Sequence, residues 1–207
     1  APITPATLNG DMIGLRSVLK QAKLAWGLTV NLAEFEDAML GLKHSRKIGA
    51  SKQRNRTPTS DELQKLTTYF YARFMRHKSY YPMHLIIWLA IYTARRQEEL
   101  TRLRLSDYKD GWWLVRDAKS TQGSIGNHIN TKVGDRAVGV INALLDTKMR
   151  DTLRVGNKLW DSELLLPLSG KTISSRFTEA CRMLAIEDLH FHDLRHEAAT
   201  RLSEQGF

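Results

Sequence analysis

The chain has 207 residues, 42% of them hydrophobic, which is enough to bury a core in one domain or two small ones. A single Cys excludes a disulfide framework and a zinc site made of cysteines alone, and it suits a reducing cytosol. The net charge of +9 indicates a polyanionic partner, most simply nucleic acid, and the longest apolar run, Leu85 to Ile91, is too short to span a membrane.

The first part of the chain predicts two amphipathic helices. Thr4 is a helix-capping residue followed by Pro5 at the first helical position, and apolar residues then recur every three or four positions. A second helix should begin at the capping pair formed by Asn31 and Glu34. Because two helices alone bury little apolar surface, we interpret residues 1–42 as part of a small helical domain.

Residues 43–58 contain basic side chains and no acidic ones. Gly49 to Ser51 interrupt the apolar periodicity, so we predict an exposed linker between two domains. Such a linker can be a solvated hinge, but concentrated positive charge repels itself unless an anion neutralises it, and we therefore favour contact with phosphates. The basic residues are Lys43, Arg46, Lys47, Lys52, Arg54 and Arg56.

The rest of the chain, residues 59–207, predicts a mainly α fold with one small antiparallel β-sheet. Thr59 and Glu62 form a capping box that begins a helix. Residues 82–92 predict a helix that is buried on nearly all sides, and a further helix should run from about Arg96 to Leu103.

A short strand is predicted at Trp112 to Arg116, where aromatic and β-branched residues are frequent. After a glycine-containing loop, the return strand is predicted at either residues 128–131 or residues 137–140. Helical periodicity resumes in three further segments, at residues 142–149, at residues 173–184 and from about His192.

Two short stretches carry the candidate chemistry. Residues 93–100 read Thr-Ala-Arg-Arg-Gln-Glu-Glu-Leu, and residues 191–196 read Phe-His-Asp-Leu-Arg-His. Together they resemble the two catalytic boxes of the tyrosine recombinase (phage integrase) family, Thr-Gly-x-Arg-x-x-Glu-Leu and His-x-Leu-Arg-His. Ala94 departs from the family by replacing the usual Gly. The order of first Arg, strand and then His-x-x-Arg makes the resemblance specific.

The resemblance implies a tyrosine recombinase catalytic fold preceded by a partial helical domain. On this basis residues 1–42 are the end of a DNA-binding core-binding domain, residues 43–58 the basic linker and residues 59–207 most of the catalytic domain.

The resemblance also implies roles for individual side chains. Arg96 and Arg195 would bind the oxygens of the DNA phosphate that is attacked, since guanidinium forks bind such oxygens in pairs and stay charged. His192, which precedes Arg195 by three residues, would move a proton near neutral pH. Glu99 would orient Arg96 or the neighbouring backbone, and His196 would pack or form hydrogen bonds behind the site.

In the family, a Lys on the hairpin after the first Arg gives a proton to the leaving sugar oxygen. Two residues are candidates for this role. Lys119 is preferred because its shorter separation from Arg96 suits the end of the first hairpin strand. Lys132 is the alternative, because Thr-Lys-Val-Gly superficially resembles a hairpin phrase found in many members.

The family's nucleophile is a Tyr that lies beyond the second Arg and forms a phosphotyrosine with DNA. All six tyrosines of this chain precede Arg195, so none is predicted to be the nucleophile. We therefore expect a fragment that binds DNA without cleaving it by the family's mechanism. No metal and no other cofactor is predicted, since the phosphotyrosine conserves the bond energy.

The preferred hypothesis is a site-specific DNA recombinase of a phage or another mobile element. The implied partners are double-stranded DNA and, in the complete protein, three further copies in a tetramer. No membrane is involved, and the expected location is the bacterial cytoplasm, at the nucleoid. One alternative is a non-catalytic DNA-binding module on the same fold. Another is a zinc hydrolase that uses His192 and His196, although Asp193 is shorter than the Glu such enzymes use as a base.

Overall fold

The computed structural model describes residues 2–51, 54–77, 81–116, 128–146, 154–155, 158–159 and 163–204. The chain divides into two compact units, Ala1–Arg54 and Asn55–Phe207. This division falls within residues 43–58, the predicted linker. The assignment of the flanking parts as core-binding and catalytic domains stays a prediction.

The first unit contains helices α1 (Pro5–Ala25) and α2 (Leu32–His44). The predicted caps are confirmed, because Thr4 Oγ1 accepts a hydrogen bond from the Thr7 amide and Asn31 Oδ1 accepts from the Glu34 amide. Helix α2 continues through Lys43 and His44, so the predicted linker begins inside a helix.

Burial in the first unit is much weaker than the predicted apolar stripe implied. Ala22 is the one buried residue of α1, and α2 has none. Two helices share a single contact face, so apolar side chains elsewhere on them have little to pack against. The large exposed apolar residues of the unit are Ile3, Ile13, Leu15, Val18, Leu24, Trp26, Leu28 and Leu40.

The second unit is built around one buried helix. Its described helices are α3 (Ser60–Arg76), α4 (Met83–Thr93), α5 (Gln97–Leu100), α6 (Asp135–Leu145), α7 (Gly170–Met183) and α8 (Asp193–Glu204). Helices α3, α6 and α8 all pack against α4. Seven of the eleven residues of α4 are buried, which confirms the prediction from its continuous apolar run. Each such buried aliphatic side chain contributes about 1.5–3 kcal/mol.

A capping box fixes the start of α3. Thr59 Oγ1 accepts from the Glu62 amide at 3.2 Å, and Glu62 Oε2 accepts from the Thr59 amide at 2.7 Å. The predicted box is therefore confirmed. Two other predicted helices differ in length: α5 stops at Leu100, and α6 begins at Asp135 and ends at Leu145. Beyond α5, the Leu165 amide donates to the Leu103 carbonyl, a contact between distant segments.

The described sheet near α5 has three antiparallel strands, β1 (Tyr108–Lys109), β2 (Trp112–Val115) and β3 (Ile129–Lys132). In its register Trp113 is opposite Thr131. The return strand therefore follows the first of the two predicted alternatives, and residues 137–140 belong to α6 instead.

A second antiparallel pair joins β4 (Arg154–Val155) and β5 (Lys158–Leu159). No helix in the described ranges is both long enough and apolar enough to cross a membrane.

Candidate active site

The first motif begins where α4 ends. Ala94 caps this helix with φ 50° and ψ 23°, a left-handed conformation that glycine adopts more easily than any other residue. The chain turns there, and Arg96 becomes the residue that precedes α5. The backbone thus explains why Gly is usual at this position, and Ala94 holds the same turn at a steric cost.

Replacing Ala94 with Gly should raise the free energy of unfolding by roughly 0.5–1 kcal/mol. The left-handed conformation costs an L-residue about 1–2 kcal/mol, and the greater freedom of Gly in the unfolded chain offsets part of this gain. Urea unfolding measures the difference. Ala72→Gly, at an exposed position within α3, is the control and should lose about 1 kcal/mol. If both variants lose stability equally, the backbone argument is wrong.

Glu99 holds Arg96 at two points. Its Oε2 accepts from the Arg96 amide at 3.0 Å, and its Oε1 accepts from Arg96 Nη1 at 3.2 Å. Burial by itself raises the pKa of Glu99, but the hydrogen bonds from Arg96 and the charges of Arg96 and Arg95 outweigh it and leave the pKa below its ordinary value. Glu99 is therefore ionised, and it is buried, whereas the Arg96 side chain is 41% exposed.

Arg195 connects the second motif to the first. It lies in the first turn of α8, and its Nη1 donates to the Ala94 carbonyl at 2.6 Å. The two residues are 101 positions apart in the sequence. The fold therefore brings the second motif against the turn that precedes Arg96.

The two histidines of the second motif lie beside each other. The rings of His192 and His196 are 5.5 Å apart, edge to face. Burial lowers the pKa of His192, and the positive charges of His196, Arg195 and Arg96 lower it further, against the opposing charge of Asp193. His192 is thus mainly neutral at pH 7 and able to accept a proton.

Arg95 precedes Arg96 in the first motif and is not among the predicted site residues. In the structure it is half-buried, and its Nη2 donates to Thr131 Oγ1 on β3. Burial lowers the pKa of Arg95, and the charge of Arg195 lowers it further, whereas Glu99 opposes the shift. The residues around Arg95 carry no signal that predicts this contact, because Thr131 lies on a strand 36 positions away in the sequence.

Of the two candidate lysines, the structure describes only Lys132. Lys119 lies outside the described residues and stays a prediction. Lys132 is exposed on β3 opposite Trp112, which is itself 45% exposed. Successive side chains alternate between the faces of a strand, so Lys132 points away from the face on which Thr131 meets Arg95. The position of Lys132 therefore does not favour it as the lysine that protonates the leaving oxygen.

Of the six basic residues in the predicted linker, three are exposed: Lys43, Arg46 and Lys47. Arg54 is half-buried at the end of the first unit, and Lys52 lies outside the described residues. Their contact with DNA stays a prediction.

Arg56, the last of the six, lies in the second unit. Its Nη2 forms an ion pair with Glu62 Oε1 at 2.5 Å and also contacts the Glu187 carbonyl at 3.5 Å. The hydrogen bond to Glu62 raises the pKa of Arg56 despite burial. Glu62 therefore offsets the charge of Arg56 within the second unit, and contact of Arg56 with DNA stays a prediction.

The zinc alternative finds no support in the described part of the chain. There, no three side chains of His, Cys, Asp or Glu are grouped to hold a metal ion. Asp193 Oδ2 instead accepts a hydrogen bond from the His190 amide at 2.8 Å, which stabilises the start of α8.

The sequence profile of the Phage integrase family matches residues 57–207, most of the chain. The chain belongs to the phage integrase family. A curated relative, the shufflon-specific DNA recombinase of Escherichia coli, is 28% identical over 208 residues, which cover 99% of this chain and 46% of the relative. The chain therefore spans less than half the length of that relative.

Solved structures share the fold. The Tn1549 transposon integrase in complex with circular intermediate DNA superposes with a TM-score of 0.64 at 14% identity, over 99% of this chain and 68% of that one. A lambda integrase tetramer bound to a Holliday junction gives 0.58 at 20% identity, over 94% and 53%. XerA recombinase gives 0.51 at 17% identity, over 99% and 71%. The predicted family and fold class are confirmed.

Proposed function

We propose that this member of the phage integrase family is part of a site-specific DNA recombinase. The complete enzyme would cleave and rejoin DNA through a 3′-phosphotyrosine, for integration or excision of a phage or another mobile element. The observation that carries the proposal is the meeting of Arg96 and Arg195, from two distant motifs, around one turn of backbone. The relative's name and the DNA complexes of the structural neighbours support the same activity.

The charge of the site suits a phosphodiester. The guanidinium groups of Arg95 and Arg96 lie near one ionised carboxylate, that of Glu99, and the guanidinium of Arg195 lies near that of Arg95. A phosphate oxyanion would offset the excess positive charge, and it gains further negative charge on its oxygens during attack. Fixed donors at such oxygens contribute about 2.7–4 kcal/mol each in comparable sites. His192, mainly neutral at pH 7, suits the proposed role in proton transfer.

DNA is the proposed partner, and the basic residues proposed to lie along its backbone are Lys43, Arg46, Lys47, Lys52, Arg54 and Arg56. In the complete protein we propose a homotetramer on paired sites, acting at the bacterial nucleoid. A lambda integrase tetramer on a Holliday junction is among the proteins of this fold.

Removing positive charge from the predicted linker should change how DNA binding depends on salt. For Lys43→Gln with Lys47→Gln, the slope of log affinity for duplex DNA against log salt should become shallower by about 1.8, since each lost phosphate contact removes about 0.9. Lys109→Gln with Arg182→Gln, two exposed positions of the second unit, is the matched control and should keep the slope. Equal slopes in all three proteins would remove the segment from the DNA interface.

The test of the proposed function uses the full-length product of the gene. Incubated with a nicked duplex that carries its recombination site, it should form a covalent protein–DNA adduct that survives denaturation and maps to a Tyr encoded beyond Arg195. Duplex binding without any adduct, in a gene product that has no such Tyr, would support the non-catalytic DNA-binding module instead.

A further inference from the structure

The hydroxyl of Thr131 links the first motif to the β-sheet. Thr131 Oγ1 accepts a hydrogen bond from Arg95 Nη2, and it donates its own hydrogen to the Trp113 carbonyl at 3.3 Å. One hydroxyl can do both because it has one donor and two acceptor lone pairs. The chain of hydrogen bonds therefore runs from the turn beside Arg96, through β3, to the backbone of β2.

The position of Arg95 is costly. The side chain is half-buried, with Arg195 near enough to disfavour its charge. Removing a guanidinium from water next to other cations is unfavourable unless specific partners compensate. An arginine exposed to solvent would avoid this cost. The hydrogen bond from Arg95 to Thr131 is a partner that compensates for the burial.

A second contact holds the same hairpin at its other strand. Arg116, directly after β2, donates from Nε and Nη2 to the two oxygens of Asp107, each at 2.7 Å. Asp107 lies in the 3-10 turn Leu105–Asp107 that follows α5, and its side chain is buried. The hydrogen bonds from Arg116 lower the pKa of Asp107, so the pair remains charged. Arg95 and Asp107 thus hold β3 and β2 against the segment that contains Arg96.

We propose that Arg95 is a positioning residue, which through Thr131 holds the β2–β3 hairpin against the first motif and so sets the orientation of Arg96 and Arg195. The inference deepens the proposed function, because it assigns Arg95 a role in preparing that site for phosphate. It goes beyond the two motif arginines, since Arg95 acts through a hydroxyl on the sheet.

Paired substitutions at Thr131 test the proposal on the chain itself. Thr131→Val keeps the shape and removes the hydroxyl, whereas Thr131→Ser keeps the hydroxyl. In Thr131→Val the NMR signals of the Arg96 and Arg195 Nε–H groups should shift, and affinity for inorganic phosphate should fall about five- to tenfold. Thr131→Ser should match the wild type in both measurements. Arg95→Met should resemble Thr131→Val.

Asn130→Val is the control, because Asn130 is exposed on the neighbouring position of β3 and its side chain points to the other face. If Thr131→Val lowers the unfolding free energy but leaves the arginine signals and phosphate affinity unchanged, Arg95 is merely structural and the proposal is overturned. Should Arg95→Met fail to fold, the two Thr131 variants still decide.

The two proposals fail in different ways. If phosphate binding does not depend on Arg96 and Arg195 in otherwise wild-type protein, the proposed function is wrong at this site. The arginine signals in the Thr131 variants still report whether Arg95 positions that pair, because that measurement needs no ligand.

Discussion

Replacing Arg195 with Ala in the full-length gene product should slow DNA cleavage by about two to three orders of magnitude, while most duplex affinity remains. The guanidinium is the donor that we propose for the attacked phosphate, and the lost stabilisation would appear as negative charge builds on its oxygens. Duplex affinity should change little because it is distributed over many phosphate contacts. Single-turnover cleavage of a nicked duplex and equilibrium binding of the same duplex measure the two effects.

Arg195 also contacts the Ala94 carbonyl, so its loss can disturb the turn before Arg96. Arg195→Lys tests whether positive charge alone is enough, because Lys keeps the charge but cannot donate two parallel hydrogen bonds. We expect Arg195→Lys to remain strongly impaired and Arg96→Ala to be impaired as much as Arg195→Ala. Arg182→Ala, at an exposed position of α7, is the control for loss of a basic residue. Cleavage by Arg195→Ala at the rate of this control would contradict the assignment.

Acid should destabilise the second unit through His84. This residue is buried in α4 with its ring against those of Tyr71 and Phe74, and its Nδ1 has no hydrogen-bond partner in the described part of the chain. Burial lowers the pKa of His84 to about 4, whereas an unfolded His titrates near 6.5. Below pH 6.5 the unfolded state therefore binds a proton that the folded state does not, until the pH approaches 4.

The stabilisation is thus fully present above about pH 6.5 and is lost at about 1.4 kcal/mol per pH unit as the pH falls below that value. Between about pH 7 and about pH 5, His84 should account for roughly 2 kcal/mol of lost stability. Urea unfolding at both pH values should show that His84→Leu loses this much less than the wild type. His77→Leu, at an exposed position just after α3, should behave as the wild type does. Equal acid sensitivity in all three proteins would refute the prediction.

Helix starts were predictable because their causes are local. The side chains of Thr4, Asn31 and Thr59 each accept hydrogen bonds from amides two or three residues further along. Donor and acceptor are therefore both visible in a short stretch of sequence. The apolar run of α4 likewise predicted its burial, since a helix that is apolar on every side is stable only inside a core. The two motifs were recognisable as short patterns, and the family match bears out the recognition.

The amino-acid sequence alone thus determined the family, the fold class and the helix caps. The tertiary structure alone decided that Arg56 pairs with Glu62, that Arg95 contacts Thr131 and that the return strand occupies β3 rather than the start of α6. Caps and periodicity follow from neighbours within a turn or two, which a linear pattern records. Strand register and the partner of a long charged side chain depend on groups far away in sequence, and only the folded backbone brings them together.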